Sequence, residues 1–96
     1  MAIETTKFDA ADYLTSPEAQ AVYLSLAFES DDDAEIKRAI ATVARARGMT
    51  ETAKDASLSR QGLYKSFSTQ GDPKRSTLLG VLRALGMKVV VQPVAN

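Results

Sequence analysis

Residues 50 to 67 read TETAKDASLSRQGLYKSF. Thr50 can cap a short helix running to about Ala56, and Ser59 can cap another running to Phe67. In each case a hydroxyl just ahead of the helix accepts one of the amide protons that the first turn leaves unbonded. Only Ser57-Leu58 separates the two. Two short helices joined this tightly, with a longer helix on either side, predict a helix-turn-helix. Ala53 is small where the second helix must cross closely, Leu58 inserts one apolar side chain at the turn, and Leu63 anchors the second helix. At about 100° per residue, Leu63 and Phe67 point to one side of that helix. Gln61 and Lys65 lie opposite them, with Tyr64 and Ser68 nearby.

The residue types on that outer face match one kind of chemistry. A glutamine presents a donor and an acceptor side by side, as adenine does in the major groove, and an arginine can bind guanine bidentately. Lysine and tyrosine reach phosphates or base edges. Arg60 stands at the helix entry, where docking of such a motif places the base-reading side chains. Gly62, in the first turn, permits close approach to a neighbouring helix or to a DNA backbone; its alternative reading is simple tolerance, since glycine costs about 1 kcal/mol inside a helix. The alternative for the whole cluster is an ordinary solvated helix face.

Working outward, the chain punctuates its other helices clearly. Ser16-Pro17 reads as an N-cap followed by proline at the first helical position, starting a helix that carries Val22, Tyr23, Leu26 and Phe28 toward Ser30. Asp31, Asp32 and Asp33 cap the next, whose stripe is Ile36, Ala39, Ile40 and Val43, and Gly48 stands where a C-terminal cap belongs. Asp72-Pro73 is expected to open a last helix bearing Leu78, Leu82 and Leu85 before Gly86. Five helices result. MKVVVQPV, from residue 87, then alternates Met87, Val89 and Val91 with Lys88, Val90 and Gln92, the period of a strand. A strand needs a partner for its edges. Pairing between two subunits through Met87, Val89 and Val91 is the economical solution; pairing with the run from Ile3 to Phe8, or an unpaired tail, are the others. The fold class is therefore mainly α, about five helices plus one C-terminal β-strand. Residues 1–96 form a single domain made of an acidic N-terminal helical segment (1–32), a helix-turn-helix core (33–86) and a terminal strand (87–96).

Composition bounds the function. The 96 residues are 45% hydrophobic and 25% charged, as a globular chain requires, and hold neither cysteine nor histidine. Thiolate metal sites and disulfides are excluded, and no apolar run resembles a signal peptide or a membrane span, so a cytoplasmic location is the expectation. Catalysis would have to rest on carboxylate or Ser-Lys chemistry, and the densest carboxylates, Asp31 to Asp33, occupy a helix start where capping is the simpler role. No catalytic residue, metal or cofactor is assigned. The net charge of zero hides a division: residues 1–36 hold nine acids against Lys7 alone, a balance of −8, whereas residues 37–96 hold eleven bases against Glu51, Asp55 and Asp72, a balance of +8. Either the two halves face different partners or they neutralise each other in the fold.

The blocks FDAADYL (8–14), AVYLSLAFES (21–30), VARARGMTETAKDASLSRQGLYKSF (43–67) and TLLGVLRALGMKV (77–89) together resemble the addiction-module antidote proteins. These are small HigA-like antitoxins with a lambda-repressor-like helix-turn-helix, encoded beside a RelE/ParE-type toxin. The likeness runs along nearly the whole chain. It departs at Ser57, where the family has glycine in the turn, at Gly62, where it has serine or glutamate, and at Phe67, where leucine is common. Glycine at the turn would relieve a positive φ, so Ser57 is the departure with structural weight.

The resemblance implies antitoxin activity and operator binding in one molecule, with autorepression of the operon. It places Ser59, Arg60, Gln61, Tyr64 and Lys65 on the recognition helix and Thr50 against a phosphate. Independently of the resemblance, Lys74 and Arg75, ahead of the last helix on the basic side, are candidate phosphate contacts on grounds of charge, a merely solubilising role being the equal alternative. The acidic N-terminal half would meet the basic toxin, with Phe8 and Tyr13 as candidate anchors, while Tyr23 and Phe28 belong more naturally to the core. The expected partners are thus operator DNA, a RelE/ParE-like toxin and a second copy of the chain, with no membrane. The competing reading is a stand-alone helix-turn-helix regulator without a toxin, and behind it a pure protein-interaction module.

Overall fold

The computed structural model describes residues 8–94. A 3-10 turn, Ala10–Tyr13, precedes five helices: α1 (Pro17–Glu29), α2 (Asp33–Arg47), α3 (Met49–Asp55), α4 (Arg60–Ser66) and α5 (Arg75–Ala84). The first two start where their sequence signals stand. Ser16 Oγ accepts from the Ala19 amide at 3.1 Å with Pro17 at the first helical position. Asp32 caps α2, its Oδ1 accepting from the amides of Ala34 at 2.9 Å and Glu35 at 3.4 Å. Asp31 adopts a φ of 57° to make the turn between the helices.

One core joins all five helices. Ile40, Val43 and Ala44 of α2 lie at its centre, met by Leu24 of α1, Ala53 of α3, Leu63 of α4 and Val81, Leu82 and Leu85 of α5 and its end. Tyr23 and Phe28 pack against this cluster half-buried, as expected. Leu14 is buried with it, and Gln20 Nε2 donates to the Leu14 carbonyl at 3.0 Å, so the segment ahead of α1 is tied down as well. Arg47 Nη1 donates to the Leu85 carbonyl at 3.1 Å, joining the ends of α2 and α5.

Three boundaries differ from expectation. Gly48, at φ 113°, ends α2 and is at once the residue before α3, so that helix begins at Met49 and has no side-chain cap. Thr50 falls inside its first turn rather than before it. Gly48, at positive φ, occupies both boundary positions, so no residue with a capping side chain stands between the two helices. At the other end, α5 begins at Arg75, with Lys74 before it and no side-chain cap, so Asp72-Pro73 does not open the helix. The chain arrives there from Gly71, which is held by groups from α2 and α4, and residues 72–74 complete the exit from that loop.

The third correction is the C-terminal strand. Among the described residues there is no strand, and residues 87–94, including Met87, Val89 and Val91, carry no regular secondary structure. A strand exists by virtue of its ladder, and no second extended segment of this chain lies beside the tail among those residues. The other candidate partner, the run from Ile3 to Phe8, lies outside the described residues apart from Phe8 itself. Instead α5 closes in a Schellman motif. Gly86, at φ 76°, donates to Arg83 O at 2.9 Å, Met87 donates to Leu82 O at 2.9 Å, and the Met87 side chain packs half-buried on the core. Val89, Val90, Val91 and Val94 beyond it are exposed.

Candidate nucleic-acid interface

The turn between α3 and α4 is a second Schellman motif. The Ser57 amide donates to Lys54 O at 3.1 Å and the Leu58 amide to Ala53 O at 2.8 Å, which satisfies the last carbonyls of α3. The motif requires a left-handed residue at its corner, and Ser57 fills that place at φ 60°. Leu58 supplies the apolar contact that accompanies the motif, packing against the core beside buried Ala53. Ser59 restarts the chain as a helix, its Oγ accepting from the Gly62 amide at 2.8 Å.

Behind α4, Leu63 is 1% exposed and Phe67 4%. In front, Ser59, Arg60, Gln61, Tyr64 and Lys65 are all exposed. Leu63 and Phe67 fasten this seven-residue helix to the core; by helical period Gln61 and Lys65 face away from them with Tyr64 nearby, while Ser59 and Arg60 are exposed at the helix entry. Two interactions organise them: the Arg60 guanidinium lies 5.8 Å from the centre of the Tyr64 ring, and Arg60 Nη1 is 3.5 Å from Thr50 Oγ1. Thr50 thus joins the cluster from α3, although it caps nothing. Gln61 and Lys65 make no side-chain hydrogen bond among the described residues, which leaves their donors and acceptor available to a ligand.

At Gly62, chain neighbours and the helix's own backbone aside, the only atom within 4 Å of an added Cβ is Ser59 Oγ, at 3.0 Å, so no neighbouring helix approaches it closely. A Ser cap tolerates a side chain at this third helical position, and the cap does not require the glycine. Lys74 and Arg75 are exposed at the start of α5, and no hydrogen bond or ion pair links them to the α4 cluster. Phe8 and Tyr13 stand apart from the cluster, stacked on each other with ring centres 5.4 Å apart and exposed by 75% and 69%.

Arg45, absent from the residues that the sequence singles out, lines the cleft between α3 and α4 together with Thr50, Arg60 and Tyr64. A cation one turn before the glycine that ends α2 is the signal that points to it, but helix ends attract cations for their own reasons. Its Nη2 is 2.9 Å from Asp9 Oδ1. That hydrogen bond, followed by one from the Ala11 amide, holds the Asp9 carboxyl below the usual carboxylate range. The other ion pair among the described residues, Arg38 with Glu35, lies within α2. Among the described residues, Asp9 and Arg45 are therefore the one direct ion pair between the acidic and basic halves apart from that local contact.

The family model described as "Probable addiction module antidote protein" matches residues 4–93. The chain belongs to that family. An uncharacterized protein of Haemophilus influenzae is 41% identical over 85 residues, which covers 88% of each chain. No solved structure matches. Membership of the antidote family points to an antitoxin and to a toxin as partner in general terms. No helix of this antidote-family chain, among the described residues, is long and apolar enough to cross a membrane.

Proposed function

We propose that this chain is the antitoxin of a type II toxin-antitoxin module, that it neutralises a RelE/ParE-like toxin, and that it binds its own operator through a helix-turn-helix as a dimeric autorepressor. The observation that carries the DNA-binding part is the outer face of α4. In a chain of the antidote family, Gln61, Tyr64 and Lys65 are exposed on a helix that Leu63 and Phe67 fasten from behind, and Ser59 and Arg60 are exposed at its entry. Burial of those two anchors fixes the helix axis, and a fixed axis is what base reading by Arg60 and Gln61 demands. Thr50, Lys74 and Arg75 serve the phosphates in this reading.

The dimer would form through the tail. Val89, Val90, Val91 and Val94 are exposed, and so are Val22 and Leu26 on the outer side of α1. A two-fold dimer sets two α4 helices about 34 Å apart, matching an inverted repeat of about 10 base pairs centre to centre or a multiple of it. Toxin neutralisation falls to the acidic half, with the stacked Phe8 and Tyr13 as anchors, because an acidic surface steers a basic partner and exposed aromatics supply the binding energy that charge alone does not.

Two experiments test this. Co-expression with the product of the neighbouring reading frame should give a complex that survives co-purification, and Phe8→Ser with Tyr13→Ser should weaken it without unfolding the antitoxin. Removal of residues 1–15 is the poorer variant, because Leu14 belongs to the core. Footprinting upstream of the operon should show protection of an inverted repeat. Absence of a complex in the first experiment with protection in the second would favour a stand-alone regulator.

A further inference from the structure

Arg45 is the one residue common to two clefts. On one side it lines the cleft under the N-terminal turn, with Phe8, Asp9 and Ala10; on the other it lines the cleft beside α4, with Thr50, Arg60, Tyr64 and the acidic Glu51. Its Nη2 is engaged by Asp9 Oδ1 at 2.9 Å and stands 3.5 Å from Thr42 Oγ1. Asp9 is itself set by its turn, since the same Oδ1 accepts from the Ala11 amide at 3.1 Å as the cap of that turn. The carboxylate is thus presented to Arg45 by local structure, and the guanidinium can leave it without undoing the turn. Both side chains remain open to solvent, 40% for Arg45 and 41% for Asp9, and ion pairs this exposed are weak. A denser array of negative charge can displace a single carboxylate from such a pair. Duplex DNA is such an array, with one charge per about 1.7 Å of axis.

We infer that Arg45 is a DNA-backbone contact that Asp9 holds in check. In the free protein the carboxylate occupies the guanidinium. On a duplex a phosphate takes its place, Arg45 joins Thr50 at that phosphate beside the base-reading Arg60, and the turn carrying Phe8 and Tyr13 loses its only ion pair to α2 among the described residues. The inference rests on the DNA-binding reading above. It makes the N-terminal turn and the phosphate backbone compete for one cation, so a partner that draws the turn away from α2 strengthens DNA binding, and one that clamps it there weakens DNA binding, by reciprocal linkage.

The test uses the full-length chain and a random-sequence duplex of about 30 base pairs, because a phosphate contact does not depend on sequence. Affinity is measured across a series of salt concentrations for wild type, Asp9→Asn, Asp12→Asn, Arg45→Gln, Arg45→Lys and the Asp9→Asn/Arg45→Gln double variant. Asparagine keeps the capping acceptor and removes the charge, and Asp12→Asn removes the same charge from the same turn without touching Arg45. Asp9→Asn should bind on the order of threefold more tightly, and Asp12→Asn markedly less so. Arg45→Gln should weaken binding about three- to tenfold and lower the salt slope by about 0.9, Arg45→Lys should restore the slope, and the double variant should match Arg45→Gln alone. Equal tightening by Asp9→Asn and Asp12→Asn, or tightening that persists in the double variant, would overturn the competition. If Arg45→Gln keeps the wild-type slope while Arg60→Ala lowers it, the inference fails and the DNA-binding reading stands. A wild-type chain that binds no duplex at low salt removes both.

Discussion

Lys37 Nζ donates to the carbonyl of Gly71 at 2.6 Å, and to that of Thr69 at 3.0 Å, reaching from α2 across 34 residues of chain to close the loop after α4. Gly71 in turn lies directly against the Lys65 and Ser66 carbonyls, where any Cβ would collide with backbone. The candidate reading helix is therefore held at both ends: by Ser59 and the Schellman turn where it starts, and by Gly71 and Lys37 where it stops.

Gly71→Ala should destabilise the chain by about 1–3 kcal/mol, since the methyl group meets backbone that cannot step aside. Lys37→Met, which keeps the aliphatic stem and drops the two donors, should cost about 1 kcal/mol. Urea unfolding measures both. An unchanged midpoint for Gly71→Ala would mean that the loop re-forms at no cost and does not brace α4.

Ser57→Gly should stabilise. A non-glycine residue held at φ 60° carries about 1 kcal/mol of strain that glycine relieves, enough to raise the melting temperature of a domain of this size by about 4–8 °C. Ser57→Val should lower it. A lower melting temperature for the glycine variant would show that the serine side chain contributes more than the strain removes.

Arg60→Ala and Gln61→Ala should each weaken the operator complex by about 1–3 kcal/mol and leave binding to random DNA nearly unchanged for Gln61→Ala, with only the loss of one cation's salt dependence for Arg60→Ala. Electrophoretic mobility shifts on the two duplexes decide the matter. Equal losses on both would reduce these side chains to phosphate contacts.

Removal of residues 88–96, or Val89→Lys, should convert a dimer to a monomer in sedimentation and abolish tight operator binding, because one half-site loses the linkage of two contacts. The cut comes just after Met87, which closes α5 and packs on the core. A truncated chain that stays dimeric would assign the interface to the helices.

Asp9 predicts a pH dependence of known sign. Its carboxyl is held below the ordinary value of 3.8, first by the Arg45 hydrogen bond and then by the Ala11 amide. A carboxyl depressed on folding adds stability above its unfolded pKa, and that contribution is lost as pH falls from near 3.8 through the lower folded value. Titration of Asp9 by carboxyl NMR should show a depressed midpoint in wild type that returns toward 3.8 in Arg45→Gln. A wild-type midpoint already at 3.8 would dissolve the pair.

What the linear chain determined by itself is what depends on neighbours in sequence. Ser16-Pro17, Asp32, Gly48, Ser59 and Gly86 each act within a few residues, through a cap or a positive φ, and each marks a boundary in the structure where the local pattern places one. The two faces of α4 come from helical period, which is why the exposure of Gln61, Tyr64 and Lys65 was legible, and Arg60 is exposed because it stands at the helix entry. Tertiary structure decided the rest. Gly71 looks like any loop glycine until α4's carbonyls come up against it, and Lys37 looks like a solvated lysine until the loop returns to α2. Thr50 had the chemistry of a cap but lost that role to Gly48 and gained Arg60 as a neighbour instead. The valine alternation after Gly86 marks a segment fit for a ladder, yet period is a property of one segment and a ladder is a property of two. Arg45 and Asp9 are 36 positions apart, and only the packing of the N-terminal turn on α2 brings their charges to 2.9 Å.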